Sequence, residues 1–399
     1  MNERTYTRRY DLDWLRVLAF TLLILYHTGM MFNGWSWHVK NPETSKILEY
    51  VMRFSNQWRM PLLFFISGAA VWFAMEKYKS GRFAWERIKR LLIPLTFGMF
   101  FIIPPQVYFE RLFQGESFGS FWVFYESVLH LHPYPEGNFS WHHLWYIPYI
   151  LVYSLLMLPF FSLLKHPTGR KWLTRFMQKV SQGSGVIWWF VPIALSQILL
   201  RPYWPDDTHN LIADWAQFAG MLLVFCLGFV FASSDAIWRS LESLRRLSLG
   251  LGVGTISILY CVWYAGLRPP YLAEPAYWIL SSANIWFWIL AILGYGYRYL
   301  RFRNRLLTYS NEAVYPFYIL HQTITVIVGY HMVHWNAPIL VKFVLLALAT
   351  FAGSWVIYAG LIRRLPWLRP LFGLKFHGYR PAGKRPLSRG LTFSTEGAE

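Results

Sequence analysis

The sequence predicts an all-α polytopic membrane protein, built as a bundle of about ten transmembrane helices. Of its 399 residues, 55% are apolar and only 15% are charged, so the chain is too hydrophobic to expose its surface to water. The apolar residues cluster in segments of about 20 residues, the length a helix needs to cross a bilayer. Basic residues are abundant in every second connection and scarce in the others. These three observations predict a chain that crosses a membrane repeatedly.

The predicted spans follow one another through residues 1–370, which are treated as one transmembrane domain. The first has no small-residue cleavage site behind it, so we expect a retained helix and not a removed signal peptide. The spans are predicted at about 12–32, 58–76, 91–109, 144–164, 185–202, 213–232, 247–267, 275–296, 311–331 and 338–362. Residues 371–399 are basic, rich in Gly, Pro and Ser and without periodicity, and predict a flexible cytoplasmic tail.

The lysines and arginines orient the predicted bundle. The two termini and every second connection carry 29 of them, against 8 in the remaining connections. Short connections rich in basic residues stay in the cytoplasm, so we expect both termini inside a bacterial inner membrane. The same distribution explains the net charge of +18 without a nucleic-acid partner, because juxtamembrane basic residues face anionic lipid.

The first span carries two ionisable residues, Arg16 and His27, eleven positions apart. Eleven steps of about 100° return a helix to within roughly 20° of its starting direction, so both side chains lie on one face. Ionisable residues inside a membrane are costly and usually face a bundle interior or a wet cavity. This face therefore predicts a polar path, although an ion pair between Arg16 and Asp13 is the structural alternative for the arginine.

Three further segments carry candidate residues. Arg87, Lys89 and Arg90 enter the third span from the cytoplasm, where they either bind phosphates or only anchor the topology. His321 is a second intramembrane histidine, and as a lone residue it is more readily explained by helix packing. Nearby Ser310 is predicted to cap the ninth span, with an acidic residue in its first turn. Ser67–Gly68 predicts a close helix contact through small residues.

The outer connection at 110–143 is rich in histidine, glutamate and aromatic residues. His142, His143 and Trp145 at its end either line a carbohydrate-binding mouth or belong to the interfacial aromatic belt, and the sequence favours neither. Zinc is a further possibility for the four histidines near this connection. Their spacing matches no ligand pattern, so no metal site is predicted.

Five short motifs follow one another along nearly the whole chain. They are Arg16 with His27, Phe64–Gly68, Arg87 and Arg90 before Pro94, His143–Ile147, and Tyr318–His321. In this order and spacing they resemble the acyltransferase family 3 of integral membrane proteins. Three further motifs, at 36–39, 58–60 and 87–94, make the periplasmic glucan biosynthesis branch of that family the most similar.

The resemblance implies transfer of an acyl group, acetyl or succinyl, from cytoplasmic acyl-CoA to a carbohydrate hydroxyl on the outer side. His27 is then expected to act as general base, with Arg16 along the donor route. His321 and Arg59 are candidates for stabilising the oxyanion, and no permanently bound cofactor is expected. A transporter or exporter without acyl-transfer chemistry is the alternative, but paired broken helices in two matching halves are not found. A non-catalytic assembly protein is the third class, and oligomeric state stays open.

Overall fold

The structure is a computed structural model that describes residues 8–264 and 273–376. Within these ranges it is built from α-helices joined by turns and loops, with a few short 3-10 and π-helical turns. The helices are α1 (Tyr10–Met30), α2 (Lys46–Lys77), α3 (Ser80–Phe97), α4 (Ile103–Phe113), α5 (Phe121–Leu129), α6 (Tyr146–Leu156), α7 (Leu158–Lys165), α8 (Pro167–Val180), α9 (Phe190–Leu200), α10 (Trp215–Phe231), α11 (Asp235–Tyr264), α12 (Ala273–Tyr299), α13 (Arg305–Met332) and α14 (Ile339–Ile357). The all-α prediction is confirmed.

Each of the ten predicted apolar segments falls on one of these helices or on a bent pair. Among the described residues, five continuous helices are long and apolar enough to span a membrane, and two pairs broken by a bend raise that number to seven. Helix α3 continues through a π-helical turn into α4 as one of the five. The chain is a multi-pass membrane protein.

Two connections that the sequence left without structure contain helices. Helix α8 occupies the basic connection at 165–184 and buries Leu173 and Met177 while its lysines and arginines face outward. A helix with one apolar and one strongly basic face is suited to lie in the interface plane of a membrane. Helix α5 begins after Ser120, whose hydroxyl accepts a hydrogen bond from the Val123 amide at 3.3 Å.

Helix α13 begins six residues earlier than predicted. Its N-cap is Asn304, whose side-chain oxygen accepts a hydrogen bond from the Leu307 amide at 2.7 Å. The prediction of Ser310 as the cap is therefore wrong, since Ser310 lies inside the helix. Glu312 is not in the first turn either, and its carboxylate accepts a hydrogen bond from Arg369 at 3.0 Å. An asparagine caps a helix as well as a serine does, which is why the sequence did not separate the two starts.

The core contains one very close helix pair, α2 against α10. A Cβ atom added to Gly68 would lie 1.8 Å from the Phe225 carbonyl oxygen, and one added to Gly228 would lie 1.9 Å from that of Phe65. Only glycine permits backbones to approach in this way. The predicted small-residue contact at Gly68 is confirmed, and it aligns α2 beside the helices that carry the site.

The predicted boundary between domain and tail, at residue 370, falls inside a packed turn, Arg369–Phe372. Phe372 is buried and its ring lies 5.4 Å from that of Phe97. Gly373 follows with φ of 70°, where a Cβ atom would meet the Tyr315 ring at 2.0 Å. The folded part therefore includes the first residues assigned to the tail, and the rest of the predicted tail, 377–399, lies outside the described residues.

Candidate active site

Helix α1 lies against α13 and presents Arg16 and His27 to it. The Arg16 guanidinium contacts the Asn311 side-chain oxygen, and it also donates to Asp13 at 3.1 Å. Eleven residues further along, the Nδ1 atom of His27 lies 2.7 Å from the Nε2 atom of His321. The two residues therefore share a face of α1, as their spacing predicts.

The hydrogen bonds around His321 fix the protonation of both imidazoles. Its Nδ1 atom lies 2.7 Å from the Tyr318 carbonyl oxygen, which only accepts, so this nitrogen carries the proton. The Nε2 atom of His321 then accepts a hydrogen bond from Nδ1–H of His27. This leaves Nε2 of His27 with its lone pair and without a hydrogen-bonding partner among the described residues. His27 is thus arranged as a base, with a neutral histidine behind it.

A cavity of about 1010 Å³ opens beside this pair, and His27, Arg59, His143 and Trp145 are among its lining residues. It is lined by the C-terminal part of α1, by residues within α2 and α13, and by the segments that follow Pro133 and Pro205. Its walls combine aromatic rings with many polar side chains, among them several histidines, Arg59 and Arg201. Such a mixed lining suits a polar ligand that also has apolar faces. A substrate in this cavity has access to the His27 ring.

Arg59, predicted as a substrate or oxyanion residue, lies buried on α2 in the cavity wall. Its guanidinium stacks over the Tyr26 ring at 3.6 Å. The Nε and Nη1 atoms have no hydrogen-bonding partner among the described residues. A buried guanidinium with unused donors is suited to receive an anionic group of a substrate or a developing negative charge.

The adjacent residues His142 and His143 point in different directions. His143 is buried, and its Nε2 atom donates to the Ile319 carbonyl oxygen at 3.1 Å while its ring centroid lies 5.1 Å from that of His321. His142 turns outward, and its Nε2 atom lies 3.5 Å from Glu110. The sequence grouped these two histidines as one substrate site, whereas the structure places only His143 beside the catalytic candidates.

Trp145 forms part of the opposite wall of the cavity. Its ring lies 4.1 Å from that of His209, a residue of the connection after α9. The two rings are tilted by 43°, and burial lowers the pKa of His209, which favours its neutral form. Aromatic rings at a cavity wall are suited to pack against the apolar faces of a sugar, in keeping with the carbohydrate mouth as one of the two predicted interpretations.

The basic residues of α3 form a separate cluster near the N-terminal end of α1. Arg87 and Arg16 each lie within electrostatic range of the Arg90 guanidinium and of the Tyr146 hydroxyl. Lys89 instead donates to Glu86 at 2.9 Å on its own helix. Arg16, Arg87 and Arg90 therefore belong to one positively charged region, and Lys89 is paired with a carboxylate.

Aromatic rings separate this arginine cluster from the cavity. The ring of Phe20 lies 5.2 Å from that of Tyr318 and 6.3 Å from that of Tyr146. Tyr146 is held by its hydroxyl, which donates to the Leu63 carbonyl oxygen at 3.1 Å and contacts the Ser67 hydroxyl at 2.5 Å. Tyr318 lines the cavity, whereas the three arginines do not. The three rings therefore lie between the arginines and the cavity.

Sequence reasoning missed two residues that shape the site. Asn311 receives Arg16, and Gln322, which follows His321, reaches His38 in the loop after α1 at 2.9 Å. Asn311 directly follows Ser310, and Gln322 directly follows His321, which the sequence analysis had both selected. Their polar side chains in an apolar helix were the signal that could have identified them.

Comparisons with known proteins agree with this geometry. A family model described as an acyltransferase domain matches residues 9–359. The chain belongs to the acyltransferase 3 family. It is an enzyme that transfers acyl groups within a membrane.

Curated relatives from Escherichia coli O157:H7 and Escherichia coli strain K12 are called glucans biosynthesis protein C. Each is 22% identical over 340 residues, which cover 82% of this chain and 85% of the relative. No solved structure matches the chain.

Proposed function

We propose that this enzyme transfers an acyl group, acetyl or succinyl, from cytoplasmic acyl-CoA to a hydroxyl of an extracytoplasmic glycan at the bacterial inner membrane. The observation that carries the proposal is the open Nε2 lone pair of His27, held by His321 at the wall of the cavity. The name of the relatives, glucans biosynthesis protein C, supports a glycan acceptor. O-antigen and exopolysaccharide hydroxyls have the same chemistry.

The reaction balances with His27 as the only proton carrier. Its Nε2 atom takes the proton of the acceptor hydroxyl while that oxygen attacks the thioester carbonyl carbon. A carbon–oxygen bond forms and the carbon–sulfur bond then breaks. The CoA sulfur leaves with the proton that His27 returns, giving an ester and free CoA thiol. Arg59 supplies unused N–H donors to the tetrahedral oxyanion, and no bound cofactor is required.

The donor enters, in this proposal, from the cytoplasmic side. Arg16, Arg87 and Arg90 bind the phosphates of CoA, because guanidinium groups match phosphate geometry. The acyl arm passes the rings of Phe20 and Tyr146 to reach His27. The acceptor enters the cavity from the outer side, where His142, His143 and Trp145 line the wall.

The topology that this route needs has ten spans with both termini in the cytoplasm. Five continuous spans and two bent pairs, together with α1, α10 and α13, give that number. The distribution of 29 against 8 basic residues supports the orientation. A reporter fused after Glu399 that is active only when exported should be silent. An active fusion contradicts the orientation.

Mass spectrometry of cell-envelope glycans tests the function directly. Cells that express the wild-type chain should carry an acyl ester on one glycan class, and cells that lack it should not. His27→Ala should abolish that ester at unchanged membrane abundance. His130→Ala, at an exposed histidine of the outer connection, is the matched control and should leave the ester in place. An ester that persists in His27→Ala cells leads to rejection of the proposal.

The donor site needs its own experiment. Arg87→Ala or Arg90→Ala removes a charge-assisted phosphate contact worth about 1.5–3 kcal/mol, so the KM for acyl-CoA should rise roughly ten- to a hundredfold. Lysine at either position should restore part of the affinity. Lys89→Ala is the matched control, because Lys89 already pairs with Glu86. An unchanged KM in both arginine variants means that these residues only anchor the topology.

A further inference from the structure

A second polar cluster lies at the outer end of the cavity and contains His38, Glu110 and His142. The three residues come from separate parts of the chain: the loop after α1, the last turns of α4, and the turn before α6. One ligand atom from each lies within 4.8 Å of the other two. Their side chains are 14%, 4% and 3% exposed, so the carboxylate and both rings meet largely out of water.

The contact between His38 and Glu110 is close but is not a directed hydrogen bond. The Nδ1 atom of His38 lies 2.9 Å from a carboxylate oxygen, yet it has no partner with hydrogen-bond geometry. The Nδ1 atom of His142, also buried, has none either. The two rings stack with centroids 5.0 Å apart and present nitrogen atoms to the same carboxylate. Such an arrangement matches ligands directed at a common point.

The opposite side of the His38 ring faces two side-chain amides. The Nε2 atom of His38 lies 3.1 Å from the amide nitrogen of Gln106 and 2.9 Å from that of Gln322. Both amide oxygens lack a partner in this orientation, and a half-turn of both amides lets them accept Nε2–H of His38. Nδ1 then carries a lone pair towards the carboxylate. Two acceptors at this distance repel each other unless a cation lies between them.

We propose that His38, Glu110 and His142 form a binding site for one divalent transition-metal ion of the zinc type. Imidazole nitrogens and a carboxylate suit zinc, and tetrahedral zinc ligands lie about 3.3 Å apart, close to the observed 2.9 and 3.5 Å. His38 and His142 line the cavity, so the fourth position faces the acceptor side. The proposal does not depend on the acyl-transfer function.

The surroundings of the site resemble those that orient metal ligands in other proteins. Metal-bound histidines usually donate their second N–H to a protein group, and ligating carboxylates are themselves hydrogen-bonded. The amides of Gln106 and Gln322 meet the first condition for His38 once their oxygens face its Nε2 atom. The Tyr134 hydroxyl meets the second by donating to the other oxygen of Glu110 at 3.0 Å.

Two residues of the proposed metal site and its surroundings are sequence neighbours of the histidines near the cavity. Gln322 directly follows His321, and His142 directly precedes His143. An ion that joins three chain segments would hold both neighbours in place. The sequence-based expectation of no metal site considered only histidines near one outer connection, whereas two of the three proposed ligands lie before it or at its first residue.

Metal binding to the purified full-length protein in detergent tests the proposal. After chelation and dialysis, Zn²⁺ should bind with a stoichiometry of one per chain and raise the midpoint of thermal unfolding. His38→Ala, Glu110→Gln and His142→Ala should each weaken Zn²⁺ affinity at least tenfold. His130→Ala should not change it, because that exposed histidine lies in the same connection but outside the cluster.

A second measurement guards against variants that fail to fold. Co²⁺ bound to the wild-type protein should give the intense visible absorption of a tetrahedral site, and Zn²⁺ should displace it. A weak, solvent-like Co²⁺ spectrum, or equal Zn²⁺ affinity in the wild-type and Glu110→Gln proteins, overturns the proposal. In that case the cluster is a buried ion pair, and the glycan acylation measured in cells remains a separate test of the enzyme's function.

Discussion

Two histidine clusters lie side by side in the bundle, and only one of them contains a carboxylate. His27, His321 and His143 surround no carboxylate, and their hydrogen bonds end on backbone carbonyl oxygens. His38 and His142 instead share the Glu110 carboxylate. The first cluster is therefore built from neutral rings. It leaves two lone pairs without a partner among the described residues, on Nε2 of His27 at the cavity and on buried Nδ1 of His143. The second carries a fixed negative charge and attracts a cation.

The difference shows how neighbouring groups assign roles to one residue type. A carbonyl oxygen that accepts from one ring nitrogen of a histidine leaves the other nitrogen as an acceptor, and this sets the tautomer of the next ring. His321 sets the tautomer of His27 in this way. A histidine beside a carboxylate is held in place by charge. Four substitutions separate the two clusters, and we expect their effects on transfer to decrease in the order given below.

The largest effect is expected at the open Nε2 lone pair of His27. His27→Gln keeps a hydrogen-bonding side chain but removes the base, so kcat should fall by about 10²–10⁴ with acyl-CoA binding retained. The wild-type rate should rise with pH as the imidazole loses its proton, and the residual rate of the variant should lack this rise. Near wild-type turnover of purified His27→Gln protein moves the base to another residue, with His321 the next to test.

A smaller loss is expected behind the base. His321→Leu removes the acceptor for Nδ1–H of His27, and kcat should fall about ten- to a hundredfold, as for other groups that orient a functional histidine. His321→Gln places an amide oxygen near the former Nε2 position and should retain more activity than the leucine variant. Equal rates in the two variants indicate that His321 only packs against α1.

The link between the clusters should give a still smaller effect. Gln322→Leu removes one neutral hydrogen bond to His38, worth about 0.5–1.5 kcal/mol, so transfer should fall about two- to twelvefold. Measuring kcat in the Gln106→Leu variant provides the comparison, because Gln106 contacts the same nitrogen but lies on α4, away from His321. A loss only in Gln322→Leu means that the connection runs through α13.

The smallest effect on transfer is expected at the edge of the second cluster. Tyr134→Phe removes a donor to Glu110 and should lower the free energy of unfolding by about 1–3 kcal/mol, because the acceptor is charged. Transfer should stay near the wild-type rate, since Tyr134 touches neither His27 nor His321. Thermal unfolding and transfer assays on the same preparation check both parts. A drop in transfer as large as that of Gln322→Leu removes the distinction between the clusters.

Local periodicity was enough to predict the helical segments and the shared face of Arg16 and His27. The predicted apolar segments all fall on helices or bent helix pairs, because length and composition decide whether a segment can cross a bilayer. Several of those helices, such as α2 and α11, begin well before the predicted segment, since their first turns are polar. The common face of Arg16 and His27 followed from the pitch of a helix. The contact at Gly68 was also visible in sequence, since a small residue inside an apolar helix signals close packing.

Other features depended on residues far apart in the chain. The pairing of His27 with His321 spans 294 positions, and the sequence placed both in the membrane without predicting their contact. The sequence offered two good N-cap residues for α13, Asn304 and Ser310. In the folded protein Asn304 is the cap, because its side-chain oxygen accepts the hydrogen bond of the Leu307 amide. The opposite directions of His142 and His143 depend on the turn that precedes α6, where the backbone of His142 has φ of 39°.

The amino-acid sequence by itself thus determined the membrane class, the apolar helical segments and the face that Arg16 and His27 share on α1, because each depends on residues within a few turns of one another. Only the tertiary structure decided which histidines share a proton and which share the Glu110 carboxylate. Those partnerships arise when α1, α4 and α13 pack together, and the hydrogen bonds that fix them form between groups that no local pattern brings into contact.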